Sequence, residues 1–143
     1  MTGLAIGQRF PEIVRGPIDR TTLALFAGAS GDHAPMHLDI DAAHRAGMND
    51  VFVHGMLLAA YLGQALKTWV GSPAVRTWGV RFVAVTPVNS TVQCIGEVEE
   101  LGLHAGEDCA RLKLGVRLAE DELVVSGHAW IALAALELDR NEA

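Results

Sequence analysis

The residues best suited to chemistry lie in one short segment, residues 29–39. Asp32 offers a carboxylate and His37 an imidazole, and an imidazole with its ordinary pKa of about 6.5 both takes and gives a proton near neutral pH. Gly31 and Pro35 rule out an ordinary helix here, because proline lacks an N–H and moves the residue before it away from helical backbone angles. The segment is therefore predicted to be a structured loop that holds an acid/base pair between rigid elements.

Taken alone, these residues allow other interpretations. Asp32 is also a typical turn residue that bonds its own backbone, and His37 is equally a partly buried imidazole with satisfied hydrogen bonds. His33 and His37 have the His-x-x-x-His spacing of a metal site. However, Pro35 removes the single helical face on which that spacing works, and no third soft ligand is close in sequence, so no metal is expected.

A second candidate element is the tetrapeptide Val53-His54-Gly55-Met56, which begins a long apolar segment. The first turn of a helix presents unpaired N–H groups and a partial positive charge, and Gly55 has no side chain to block an approaching carbonyl oxygen. Such a site is suited to be an oxyanion hole. The alternative is structural, in which Gly55 permits tight packing and His54 caps the helix.

The elements that must position these residues follow from periodicity. The segment Gly55–Trp69 is apolar nearly all round over its first nine positions, which predicts a buried helix, and Asp19 is placed to cap a shorter helix ending near Gly28. Five segments read as strands joined by short turns: Gln8–Val14, Val75–Val85, Thr91–Leu101, Ala110–Leu118 and Leu123–Ala135. The predicted fold class is α+β, with an antiparallel sheet of about five strands wrapped around the long helix.

Length and composition bound the remaining possibilities. The 143 residues fit one domain spanning residues 1–143. Seventeen acidic and eleven scattered basic residues give a net charge of −6, which argues against a nucleic-acid partner. The apolar stretches are shorter than the roughly 20 residues that cross a bilayer, and no secretion signal is evident, so we expect a cytoplasmic protein. Cys94 and Cys109 are expected to be reduced core residues.

The two candidate elements together resemble a known family. Residues 26–37, Phe26-Ala27-Gly28-Ala29-Ser30-Gly31-Asp32-His33-Ala34-Pro35-Met36-His37, followed by Val53-His54-Gly55-Met56-Leu57, resemble the signature of the MaoC-like R-specific enoyl-CoA hydratases and 3-hydroxyacyl dehydratases. Val80-Arg81-Phe82 with Pro87-Val88 resembles the strand after that family's central helix. The resemblance covers the chain from about Leu4 to Leu136 and implies a hot-dog fold.

Carried over by position, the resemblance assigns roles to individual residues. Asp32 and His37 would hold one water, or the substrate 3-hydroxyl, and exchange protons with C2, while the Gly55 N–H would bind the thioester carbonyl. Ser30 and His54 are candidates to support this pair. The implied reaction is reversible hydration of trans-2-enoyl thioesters of coenzyme A or acyl-carrier protein to (R)-3-hydroxyacyl thioesters. No cofactor is required, and a homodimer, or else a heteromer, is expected.

Two departures from the family pattern keep alternatives open. Ala34 stands where the family commonly has Asn, and Ala59-Ala60 stands where some members have a small polar residue. A non-catalytic or partner-dependent acyl-binding subunit of a hetero-oligomeric dehydratase is one alternative. A hot-dog thioesterase is another, although Gly55–Trp69 contains none of the carboxylates that such an enzyme often carries on its central helix.

Overall fold

The structure, a computed structural model, describes residues 3–119 and 121–136. The helices are α1 (Arg20–Ser30), α2 (Ile40–Arg45) and α3 (Gly55–Val70), with single 3-10 turns at Pro35–His37 and Ser72–Ala74. The strands are β1 (Ile13–Arg15), β2 (Val75–Phe82), β3 (Val92–His104), β4 (Glu107–Leu118) and β5 (Leu123–Ala132). They form one antiparallel sheet in the order β1-β3-β4-β5-β2. The predicted five-stranded hot-dog fold is therefore confirmed.

The core lies between α3 and one face of the sheet, where α3 contacts β2, β3, β4 and β5. The alternate residues Ala110, Leu112, Leu114 and Val116 of β4 are buried, as the two-residue period predicts, although Cys109 and Gly115 on the opposite face are buried too. The burial of α3 is less complete than predicted. Met56, Ala60 and Gln64 are exposed, and since they are spaced four residues apart they form one stripe along the helix.

Two glycines let α3 approach the edge strand β2 closely. A Cβ atom at Gly55 would lie 3.0 Å from the ring of Phe82, and one at Gly63 would lie 3.2 Å from the ring of Trp78. Four residues of strand and eight residues of helix both span about 12–13 Å, so the two aromatic rings meet the two glycines in register. The sequence Gly-x7-Gly in the helix therefore fixes how β2 lies along α3.

The element boundaries differ from the predictions in explicable ways. The first strand is only Ile13–Arg15, because Pro11 lacks the N–H that continued pairing needs, although Arg9 still forms an isolated bridge with Glu97. β2 ends at Phe82, where the N–H groups of the next two residues both reach one carbonyl of β5 and disrupt the ladder. β5 ends at Ala132 and gives way to a helical turn.

The helices α1 and α2 both begin at an aspartate cap. The Asp19 side chain accepts a hydrogen bond from Thr22 N and begins α1, as predicted, whereas α2 was not anticipated and begins at a second aspartate cap, Asp39. Cys94 and Cys109 are buried and free. They lie opposite Val116 and Gly102, too far apart along the strands for a disulfide. No helix of the described residues is long and apolar enough to span a membrane.

Candidate active site

Three side chains from two segments of the chain converge beside the start of α3. One ligand atom each from Asp32, His37 and His54 lies within 4.8 Å of the others. Asp32 follows Gly31, which ends α1 in the left-handed conformation with φ 77°. His37 closes the 3-10 turn, and His54 is the residue immediately before α3. The loop that the sequence predicts therefore turns Asp32 and His37 toward the helix start.

Asp32 is held by its own loop. Its N–H donates to Ser30 Oγ at 3.1 Å, and its Oδ1 accepts from the Ala34 N–H at 3.2 Å. The second contact is an Asx turn, in which the carboxylate bonds the backbone two residues on. The backbone of Ala34 thus bonds the carboxylate even though its side chain has no polar atom. Ser30, one of the two predicted supporting residues, thus contacts the main chain of Asp32.

His37 is nearly buried and has one nitrogen committed to the backbone. Its Nδ1 lies 2.7 Å from the carbonyl oxygen of Phe52. A carbonyl only accepts hydrogen bonds, so Nδ1 carries the proton, and in the neutral ring Nε2 presents a lone pair. The nitrogen free to exchange protons is therefore Nε2.

His54 is completely buried and stacks on His37, with ring centroids 3.9 Å apart and planes 25° from parallel. Its Nε2 donates to the main-chain oxygen of Asp32 at 3.2 Å. Burial, and secondly the nearby His37, lower the pKa of His54, so the ring is neutral at pH 7. A metal ion lies in the plane of each imidazole that binds it. Two stacked rings cannot both aim a lone pair at one ion, so this cluster does not fit a metal.

A cavity of about 340 Å³ opens beside the cluster. Asp32 and His37 line it together with Gly55, and its other walls are mainly apolar: Phe52, Val53, Met56, Leu58, Phe82, Ala84 and Val85. Gly55 is the first residue of α3, so its N–H has no acceptor within the helix. The arrangement supplies a carboxylate, an imidazole and a backbone donor to one apolar space.

The structure brings Asp32, His37 and Gly55 to this cavity and places Ser30 and His54 against Asp32. His33 is exposed and lies outside the cluster, so the His-x-x-x-His spacing brings no pair of histidine ligands together.

The sequence analysis assigned no role to the cavity residues Phe82 and Thr86. Phe82 covers Gly55, and Thr86 lines the cavity with a buried hydroxyl that has no partner among the described residues. Nothing in the local pattern around Thr86 signals that position.

The family model for the MaoC-like domain matches residues 2–117. The chain belongs to the MaoC-like dehydratase family. The unliganded R-hydratase PhaJ1 from Pseudomonas aeruginosa shares 28% identity and a TM-score of 0.77 with this MaoC-like chain, over 91% of this chain and 82% of that one. The (R)-hydratase from A. caviae involved in PHA biosynthesis shares 26% identity and a TM-score of 0.79, over 93% and 99%.

A third structure, the ChsH1-ChsH2 complex from Mycobacterium tuberculosis, has the same fold as this MaoC-like protein, with 23% identity, a TM-score of 0.76, and coverage of 93% of this chain and 99% of that one. Comparison with curated proteins finds no significant match. The family model therefore establishes membership of the MaoC-like dehydratases, and the two R-hydratase structures share the fold of this chain.

Proposed function

We propose that this protein catalyses the reversible hydration of trans-2-enoyl thioesters to (R)-3-hydroxyacyl thioesters. The observation that carries the proposal is the shared cavity, in which Asp32, His37 and the amino-terminal glycine of α3 line one apolar space. The R stereochemistry rests on the likeness to the two R-hydratases. The acyl group is carried by coenzyme A or by acyl-carrier protein.

The proposed chemistry needs one water between Asp32 and His37 Nε2. As the water oxygen bonds to C3, one of its protons leaves through this pair and a proton is delivered to C2. The electrons of the C2–C3 double bond move toward the thioester oxygen, so negative charge builds there in the transition state. The Gly55 N–H, fixed at the positive end of α3, stabilises that charge before C2 is protonated. The protein groups that take part in this proposed reaction are all amino-acid residues, so the step needs no cofactor.

The decisive experiment mixes purified protein with crotonyl-CoA and with longer and branched enoyl-CoA and carrier-protein thioesters. Hydration removes the conjugated double bond, which lowers the ultraviolet absorbance of the thioester. We expect turnover by the wild type and losses of about a thousandfold in Asp32→Asn and His37→Gln, since each removes one of two cooperating proton-transfer groups. His33→Gln, at an exposed neighbouring histidine, is the matched control and should retain activity.

Other outcomes of this experiment would indicate a different function. Release of free thiol in place of hydration would indicate a thioesterase. Binding of acyl-CoA without turnover, or turnover only with a related second chain, would indicate the acyl-binding subunit of a heteromer. Normal hydration by both Asp32→Asn and His37→Gln would refute the proposed site.

We further propose that the protein works as a homodimer joined at β2. This edge strand has no neighbour on its outer side among the described residues. Large apolar side chains are exposed along it and just beyond it: Trp78, Phe82, Val83 and Val85. An exposed apolar edge is prone to pair with another strand, and a second copy would bury it. Since Phe82 also covers Gly55, the acyl chain would enter near the subunit boundary.

Sedimentation velocity tests the dimer. Val83→Lys places a charge at the β2 edge and should yield monomers, whereas Val14→Lys at the exposed β1 edge should leave the dimer intact. A monomeric wild type would contradict the proposal.

Because the buried residues of the described helices and strands share one hydrophobic core, we also propose that residues 1–143 act as a single domain.

A further inference from the structure

His54 contacts Asp32 and His37 and directly precedes Gly55. Its Nε2 donates to the main-chain oxygen of Asp32 at 3.2 Å, and its ring covers one face of His37 at 3.9 Å between centroids. It is also joined by a peptide bond to Gly55. The carboxylate and the imidazole come from the loop between α1 and α2, the proposed carbonyl-binding amide comes from the start of α3, and His54 connects all three groups.

The environment of His54 keeps the ring neutral and in one orientation. The side chain has no solvent exposure, and Phe26 packs edge-on against it with ring centroids 4.9 Å apart. Since the Asp32 carbonyl can only accept, Nε2 carries the proton and Nδ1 is left with a lone pair. Nδ1 is buried and meets no partner among the residues that the structure describes. A second proton there would be an unsolvated charge stacked on His37, which is costly.

We propose that His54 is a positioning residue for the hydration step. Its N–H fixes the peptide of Asp32 and its ring fixes the plane of His37, so the carboxylate and the imidazole keep the separation needed to share one water. The inference rests on the proposed function. A misplacement of about 1 Å between reacting groups costs roughly a hundredfold in rate, so this support acts on kcat rather than on substrate binding.

Two substitutions separate the two contacts. His54→Phe keeps an aromatic ring against His37 but removes the N–H, whereas His54→Gln keeps an N–H close to the position of Nε2 but removes the ring. We expect kcat of His54→Phe to fall by about 10- to 100-fold with KM changed by less than about threefold. His54→Gln should recover part of that loss because it still anchors Asp32.

The matched controls are His44→Phe and His44→Gln. The Nε2 of His44 also lies within hydrogen-bonding distance, 3.0 Å, of a main-chain oxygen, that of Asn49, but His44 lies outside the cluster of Asp32, His37 and His54. These variants should retain wild-type kcat and KM. A His54→Phe enzyme with wild-type kcat, or with its loss confined to KM, would overturn the inference while leaving the proposed hydration intact.

A crystal structure of His54→Phe gives a readout that does not depend on turnover. We expect the Asp32 carbonyl to lose its partner and the Asp32 carboxylate to move by about 1 Å relative to His37 Nε2, an amount that matters for proton transfer. Unchanged geometry would refute the positioning role even in a protein that hydrates none of the thioesters. Absence of turnover in the wild type, by contrast, would refute the proposed function.

Discussion

Replacing Gly55 by alanine tests the proposed carbonyl-binding site most directly. The added Cβ would lie 3.0, 3.1 and 3.2 Å from three atoms of the Phe82 ring. Carbon atoms in favourable contact are about 3.5–4.0 Å apart, so the ring must retreat by a few tenths of an ångström. Phe82 is 48% exposed and lies on an edge strand, which lets the ring yield. The expected cost in the free energy of unfolding is therefore only about 1 kcal/mol.

The expected effect on catalysis is larger. Gly55 and Phe82 both line the cavity, so the new methyl group and the displaced ring would occupy space beside the amide that we propose binds the thioester oxygen. Misplacement of the carbonyl by the methyl group predicts a fall in kcat/KM of about 30- to 100-fold. Initial rates of hydration measure it, and thermal unfolding shows that the fold is retained.

Gly63→Ala is the matched control for this substitution. It adds the same methyl group to the same helix, with its nearest contact 3.2 Å away on the ring of Trp78, and it lies outside the cavity. We expect its rate to stay within about twofold of wild type. If Gly55→Ala kept the wild-type rate, or if both variants lost activity equally, the Gly55 amide would not be the carbonyl-binding group.

Three further predictions concern stability and reactivity. Thr86→Val should raise the free energy of unfolding, measured by chemical denaturation, by about 1 kcal/mol. It replaces a buried hydroxyl that has no partner among the described residues with a methyl group of similar size. A decrease would show that the hydroxyl has a partner. Burial raises the pKa of the Cys94 thiol to about 11, and the pKa of Cys109 is also raised by burial, so neither should react with a disulfide reagent at pH 8 until the protein is unfolded. The pKa of His54 is lowered in the folded state, so the unfolded chain binds more protons than the folded one as the pH falls through about 6.5. The free energy of unfolding of the wild type should therefore decrease in this range. In a denaturation series at the same pH values, His54→Gln should show a smaller decrease.

Much of the architecture was predictable because it depends on periodicity and on single capping residues. The alternation in β4 and the apolar run in α3 determine which faces are buried, and Asp19 begins α1 by a contact made within one turn. The ends of β2 and β5 were not predictable. They depend on neighbours distant in sequence, such as the carbonyl of Val124, which accepts hydrogen bonds from two successive N–H groups beyond β2.

Part of the candidate site was likewise predictable from the sequence and part was not. Asp32, His37 and Gly55 are identifiable because their residue types suit the chemistry, and because Gly31 and Pro35 keep the loop that carries Asp32 and His37 from forming a helix. The stacking of His54 on His37 was not predictable, since the two residues lie on different segments, which are joined by hydrogen bonds between residues distant in sequence such as His37 and Phe52. The cover that Phe82 provides over Gly55 likewise depends on the register of β2 along α3.

The contacts that hold the site also bear on the departure at Ala34. The loop that carries Asp32 is tied by the Ser30 hydroxyl, by the Ala34 N–H and by His54 Nε2, and all three contacts involve the main chain of the loop. None of these three contacts requires an amide side chain at position 34. The alanine therefore removes one possible support without leaving Asp32 unheld. If Ala34→Asn raised kcat by less than about threefold, that small gain would agree with a loop already positioned by the other contacts; a gain of a hundredfold would show that these contacts are insufficient on their own.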